Sequence, residues 1–219
     1  GFKPSEEVTA EVGQVVSNID LGSSPVSKGQ EDAPYTVLEF ADFQCPGCGV
    51  LHPQMDALVK ENEDIRLVFK NFPLTQIHPH AISAAKAGLC AKEQGKFWPM
   101  SDLIFENQSV FYETGHEPKS TGEVADSYQF FAVQLQLNTA AFTACMNSDA
   151  VSDRVQEDMD LAAKHGVNST PTLFLHGVCE HEGWVKILNG KAGVEAAIAA
   201  HRAGQVPTEC GELASDESE

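Results

Sequence analysis

The feature that most constrains this chain is Cys45-Pro46-Gly47-Cys48, placed where a buried strand gives way to a helix. Upstream, Tyr35-Thr36-Val37-Leu38-Glu39-Phe40 runs almost continuously apolar with one carboxylate inside it, the pattern of a strand covered on both faces. Downstream, Leu51, Met55, Leu58 and Val59 recur at helical spacing, and Pro53 is placed to kink the helix by removing a backbone donor. Ile65 to Lys70 reads as the next strand. Strand, helix and strand within about 35 residues predict a right-handed parallel unit. At its junction the first cysteine lies over the helix N-terminus, where unpaired N–H groups and the positive dipole end stabilise a thiolate. Pro46 fits the first turn without losing a needed donor. One turn brings Cys48 within disulfide reach of Cys45 but deeper, so Cys45 is expected to be the attacked sulfur and Cys48 the resolving one. A four-cysteine zinc site would bring a second close pair, which the sequence lacks. A purely bracing disulfide with so short a ring would be strained.

Residues 1–33 are polar and acidic, punctuated by Gly22, Pro25 and Gly29, and read as an N-terminal arm. Its one apolar stretch, Val12 to Ile19, is expected to be a short edge strand. Residues 78–165 carry helical patterns and almost no strand signal. There Ile82, Lys86, Leu89 and Cys90 share one face. Ser120 and Glu123 have capping-box spacing ahead of Val124, Tyr128, Phe131 and Leu135. Val151, Val155, Met159 and Ala162 form another apolar stripe, with Gly166 placed as its left-handed cap. Strands return at Thr172 to Leu175 and Trp184 to Leu188, joined as a hairpin, and Val194 to His201 forms a closing helix. The end of the chain carries Glu209, Glu212, Asp216, Glu217 and Glu219 with no Lys or Arg, and is expected to be disordered unless Cys210 is tethered.

At 219 residues and 42% hydrophobic content, the chain can bury one substantial core or a core with an inserted lobe. Its 14 Lys plus Arg against 32 Asp plus Glu leave a formal charge of −18, which argues against nucleic acid and against an anionic membrane surface as partner. No window holds the roughly 18 uninterrupted apolar residues of a spanning helix. Six cysteines, an even count, favour an oxidising compartment. The start at Gly1 rather than Met leads us to expect a processed chain, with its signal peptide removed and a periplasmic or otherwise extracytoplasmic location.

The segment Val37-Leu38-Glu39-Phe40-Ala41-Asp42-Phe43-Gln44-Cys45-Pro46-Gly47-Cys48, followed downstream by Gly166-Val167-Asn168-Ser169-Thr170-Pro171-Thr172-Leu173-Phe174, resembles the disulfide oxidoreductases of the bacterial DsbA family. The resemblance implies an α/β protein whose thioredoxin fold, residues 34–76 and 166–204, has a helical domain, residues 77–165, inserted between its βαβ and ββα halves. The arm of residues 1–33 and an acidic C-terminal tail, 205–219, flank it. It implies a cis Thr170-Pro171 bond facing the active disulfide, which leaves the preceding backbone free to pair with a substrate peptide. Glu39 becomes the acid that accepts or returns the proton of Cys48; burial without a partner would raise its pKa, whereas a strand-end position would let it reach water. Lys70 on the neighbouring strand is its candidate counter-ion.

No cofactor is implied beyond the redox-active Cys45-Cys48 disulfide, and no metal. Some relatives carry a second, non-catalytic bridge, which implies a Cys90-Cys145 disulfide; closing a loop of about 55 residues would stabilise by roughly 4 kcal/mol. Two buried thiols are the alternative. Cys179 and Cys210 would then tie the C-terminus to the sheet edge, although four cysteines allow three pairings. Pro46-Gly47 departs from the best-known oxidases of the family, which carry histidine second. Without that imidazole Cys45 is expected to be a weaker leaving thiolate and the disulfide a milder oxidant.

His176-Gly177-Val178-Cys179-Glu180-His181 holds metal-ligand residue types but no further ligand beside them, and reads as a polar hairpin turn. His78 and His80, flanking Pro79, read as the polar start of a helix. The resemblance makes the expected activity thiol:disulfide exchange that introduces disulfides into folding extracytoplasmic proteins. The expected partners are unfolded or folding protein thiols and a quinone-linked membrane reoxidant of the DsbB type, with the chain itself monomeric. A reductase or isomerase on the same scaffold is the alternative enzyme, and a metal-binding or chaperone-like module is the non-enzymatic one.

Overall fold

A computed structural model describes residues 12–112, 117–180 and 182–211. The chain runs β1 (Val12–Val16), β2 (Val26–Lys28), β3 (Tyr35–Ala41), α1 (Pro46–Glu61) and β4 (Ile65–Asn71). Five helices follow: α2 (Ala81–Lys92), α3 (Phe97–Glu106), α4 (Thr121–Gln134), α5 (Thr139–Met146) and α6 (Asp149–Lys164). β5 (Thr172–His176), β6 (Trp184–Ile187) and α7 (Gly190–Arg202) close the fold, with 3-10 turns at Gln108–Phe111 and Thr208–Gly211. This is the α/β order expected, with the helical insertion between β4 and β5. The strands form one sheet in the order β1-β6-β5-β3-β4-β2. β3 is an inner strand, and Val37, Leu38, Glu39 and Phe40 are all buried, which explains its unbroken apolar run. β5 and β6 form an antiparallel hairpin with Leu173 opposite Ile187, and β1 pairs antiparallel with β6 at the edge.

The described residues divide into two compact units. The first takes the described residues up to Glu39, Met55–Val68 and the described residues from Thr172 on. In it, a disulfide joins Cys179 to Cys210 and anchors the last 3-10 turn. Gly177 adopts φ +98°, and a Cβ there would lie 2.2 Å from the Pro34 carbonyl oxygen, so no other residue fits this turn. The tail beyond residue 211 lies outside the described residues.

The second unit comprises Phe40–Gln54 and Phe69–Pro171, so the C-x-x-C segment is compact with the inserted helices. The buried face of α2 is made of Ala81, Ala84, Ala85, Ala87, Gly88, Leu89, Cys90 and Ala91; of the expected face Leu89 and Cys90 are buried while Ile82 and Lys86 are half-buried, because small residues let neighbouring groups approach closely. A Cβ at Gly88 would meet the Phe97 and Phe43 rings at 3.1 and 3.2 Å. Cys90 and Cys145 are bonded across a separation of 55 residues, tying α2 to α5. The Ser120–Glu123 capping box has both of its reciprocal bonds. Gly166, φ +68°, ends α6 with Val167 N donating to Ala162 O at 2.9 Å.

Three further expectations change. Leu135 is half-buried and Leu137 takes its place in the core: α4 ends at Gln134, Gln136 turns at φ +58°, and Leu137 N reaches back to Ala132 O at 2.9 Å. On α6 the buried residue is Asp158, not Met159. Its carboxylate accepts from Lys70 Nζ at 2.9 Å and from the backbone and side-chain nitrogens of Asn71 at 3.0 Å each. Lys70 is therefore the counter-ion of Asp158 and not of Glu39.

Candidate active site

The turn that carries Cys45 is built by Asp42, whose side chain is fully buried. Its Oδ1 accepts from Gln44 N at 2.8 Å, and its backbone oxygen accepts from Cys45 N at 3.0 Å, an Asx-type turn. Its Oδ2 accepts from Leu74 N at 2.8 Å and lies 2.7 Å from His78 Nδ1. The Asp42 N–H in turn points at Cys48 Sγ, 3.5 Å away. The carboxylate that shapes the turn thus also orients the peptide that touches the inner sulfur. His78 and His80 stand at the start of a helix as expected, His80 as the N-cap residue of α2, but both are buried: His78 serves Asp42, and His80 Nε2 contacts Lys119 O at 2.9 Å. Asp-x-x-Cys was the signal in the sequence for Asp42; His78 had none, standing 36 residues away.

Both cysteines of the motif are thiols, Cys45 with 8% of its surface exposed and Cys48 with none. The Cys45 thiol is brought down to about 5. The largest cause is the hydrogen bond from the Cys48 side chain, opposed by burial and reinforced by Thr170 and by the backbone N–H groups of Cys48 and Gly47. Those two N–H groups belong to the first turn of α1 and have no intrahelical acceptor, so they are available to the sulfur. As a thiol, Cys45 donates to Thr170 O at 3.4 Å. Thr170-Pro171 is cis. A Cβ on Gly47 would lie 3.3 Å from Pro171 Cδ, closer than most side chains tolerate, so the glycine lets Pro171 sit over the active turn. The absent imidazole at this position leaves Cys45 acidic all the same, through hydrogen-bond donors alone.

Glu39, 1% exposed, is pushed up to about 8 by burial, and neither carboxyl oxygen has a hydrogen-bond partner among the described residues. It therefore holds its proton at neutral pH. Elsewhere, Cys179 is committed to its disulfide, the His176 ring lies 5.1 Å from that of Trp184, and His181 falls outside the described residues. Among the described residues no group of three or more His, Cys, Asp or Glu is placed to hold a metal ion.

A family model described as Thioredoxin matches residues 23–184. A Na(+)/H(+) antiporter, NhaA 3 of Salinispora tropica, is 34% identical over 175 residues, which cover 80% of this chain and 25% of that protein. NhaA of Herminiimonas arsenicoxydans is 34% identical over 151 residues, 68% of this chain and 22% of that protein. The chain spans about a quarter of the length of the curated relatives it matches. Among solved structures, DsbA2 of Pseudomonas aeruginosa superposes with TM-score 0.62 at 24% identity, covering 83% of this chain and 94% of that one. Oxidised BdbD of Bacillus subtilis gives TM-score 0.67 at 20% identity, covering 91% and 100%. Both share the fold of this chain. No helix among the described residues is long and apolar enough to cross a membrane.

Proposed function

The chain belongs to the thioredoxin family, and from that premise we propose that it is a DsbA-type thiol:disulfide oxidoreductase that introduces disulfides into folding extracytoplasmic proteins. The observation that carries this reading is the Cys45 thiol, lowered to about 5 and partly exposed, above a fully buried Cys48. A stabilised thiolate favours the reduced pair, which makes the corresponding disulfide a donor of oxidising equivalents.

In the proposed cycle a client thiolate attacks Cys45 Sγ of the disulfide, the Cys45–Cys48 bond breaks, and Cys48 leaves. Glu39, protonated at neutral pH, supplies the proton that Cys48 takes up. A second client thiol attacks the client sulfur of the mixed disulfide and expels Cys45 as a thiolate, a good leaving group at its low pKa. Two electrons pass from the client dithiol to the protein; of the two client protons one restores Glu39 and the other goes to solvent, because Cys45 stays a thiolate at neutral pH. Thr170 and Pro171, against Cys45 and Gly47, form the side on which the client backbone lies. A membrane reoxidant of the DsbB type would restore the disulfide. Antiport, the activity for which the long relatives are named, is not part of this proposal.

The deciding experiment is the equilibrium reduction potential of Cys45-Cys48 against a glutathione series, with oxidation of a reduced client by wild type and Cys45→Ser. A value of roughly −120 to −180 mV, with activity lost in the variant, supports the oxidase. A value near roughly −270 mV moves the reading to a reductase, and activity retained in Cys45→Ser overturns the mechanism. A metal-binding module would show thiols that titrate only after a chelator is added.

A further inference from the structure

Building on the thiol-exchange reading, we propose that Gln108 of the inserted helical segment is a positioning residue for exchange at Cys45, and that residue 49 is glycine to admit its amide. Gln108 opens the 3-10 turn after α3. Its Nε2 donates to Phe43 O and to Cys45 O, each at 2.9 Å, so both amide hydrogens are spent on the two carbonyls that bracket Gln44. Cys45 O also accepts the first helical bond of α1, from Gly49 N at 3.2 Å. Gln44 spans the same gap in the opposite direction: its Nε2 donates to Tyr112 OH, and its Oε1 accepts from His80 N, both at 2.9 Å. Three consecutive residues of the active turn are thereby held by segments of the insertion.

Gly49 supplies an independent observation. Its backbone is ordinary helix, where alanine is the better former, so conformation does not explain the glycine. Space does: a Cβ there would lie 2.7 Å from Gln108 Oε1 and 3.1 Å from Gln108 Cδ. The donors that stabilise the Cys45 thiolate, the N–H groups of Gly47 and Cys48, stand on this same turn. A turn released from the fork lets those donors drift out of line with the sulfur, and the thiolate loses part of its stabilisation.

The test is the pH dependence of Cys45 alkylation in the reduced full chain, located by mass, for wild type, Gln108→Leu, Gly49→Ala and the double variant. Each single variant is expected to raise the Cys45 midpoint by about 0.5 to 1 pH unit, one hydrogen bond's worth, and to lower the thiolate fraction at acidic pH by up to about tenfold. In the Gln108→Leu background Gly49→Ala is expected to add nothing, because the amide it displaces is already gone. Unchanged midpoints with a lowered melting temperature would show a brace without influence on the sulfur, and additive midpoint shifts would show two unrelated effects; either overturns the proposal. If Gln108→Leu does not fold, Gly49→Ala alone carries the test. Client oxidation by the wild type is scored separately, so loss of the oxidase reading and loss of the Gln108 role give different results.

Discussion

Replacing Glu39 by Gln should reverse part of the dependence of stability on pH. In the native protein Glu39 is raised from the ordinary 4.5 to about 8 by burial alone, while in the unfolded chain it titrates normally. Between those two values the native state binds more protons than the unfolded state, so unfolding free energy falls as pH rises through that window. At 1.36 kcal/mol per pH unit, the difference between about 8 and 4.5 amounts to about 5 kcal/mol lost by alkaline pH. Cys45 works in the opposite sense. Its native value is lowered from 9.0 to about 5, so the unfolded chain binds the extra proton and the reduced protein gains stability over nearly the same range. In the disulfide form that thiol does not titrate, and the difference between wild type and Glu39→Gln isolates the Glu39 contribution from that of other titrating groups such as His165. The assay is therefore urea unfolding of oxidised wild type and oxidised Glu39→Gln from about pH 5 to about pH 9. Gln keeps the shape and cannot ionise, so the variant should overtake the wild type as pH rises, by up to about 5 kcal/mol above pH 8. A difference between the two proteins that stays constant with pH would refute the reasoning.

Cys48→Ser removes the resolving thiol, so when its Cys45 thiolate attacks a client disulfide and expels the other client sulfur, the mixed disulfide should accumulate, visible by mass; a variant that leaves no adduct contradicts the assignment of outer and inner sulfurs. Converting Cys90 and Cys145 together to Ser opens a loop of 55 residues and should cost about 4 kcal/mol in urea unfolding, and a loss below about 1 kcal/mol would mean the bridge constrains little. Asp158→Ala leaves the Lys70 ammonium and two Asn71 donors without their acceptor and should cost about 3 kcal/mol by the same measurement, with an unchanged midpoint counting against the pair.

The redox motif, the strand before it, the helix after it and the helical insertion were legible because each is a local pattern: an apolar run, a helical stripe, a cap. The errors share a different cause. Lys70 and Glu39 stand on neighbouring strands of the sheet, but the partner of Lys70 is Asp158, 88 residues away. Met159 fits the helical stripe better than Asp158, yet the carboxylate is the buried group because three donors from β4 converge on it. Periodicity places a polar residue outside unless a partner is known, and the partner lies on another element. The role of His78 is hidden from the sequence for the same reason, being defined by Asp42, 36 residues away.

By itself the sequence determined the α/β order, the position of the insertion and the two cysteines at a helix start, since these follow from side-chain spacing within one or two turns of chain. Only the tertiary structure decided how acidic Cys45 is, that Glu39 keeps its proton, that Asp42 and His78 close the active turn, and that Gln108 grips it from the insertion. Those properties depend on desolvation and on donors brought from distant segments, and spacing along the chain carries no record of which distant group arrives.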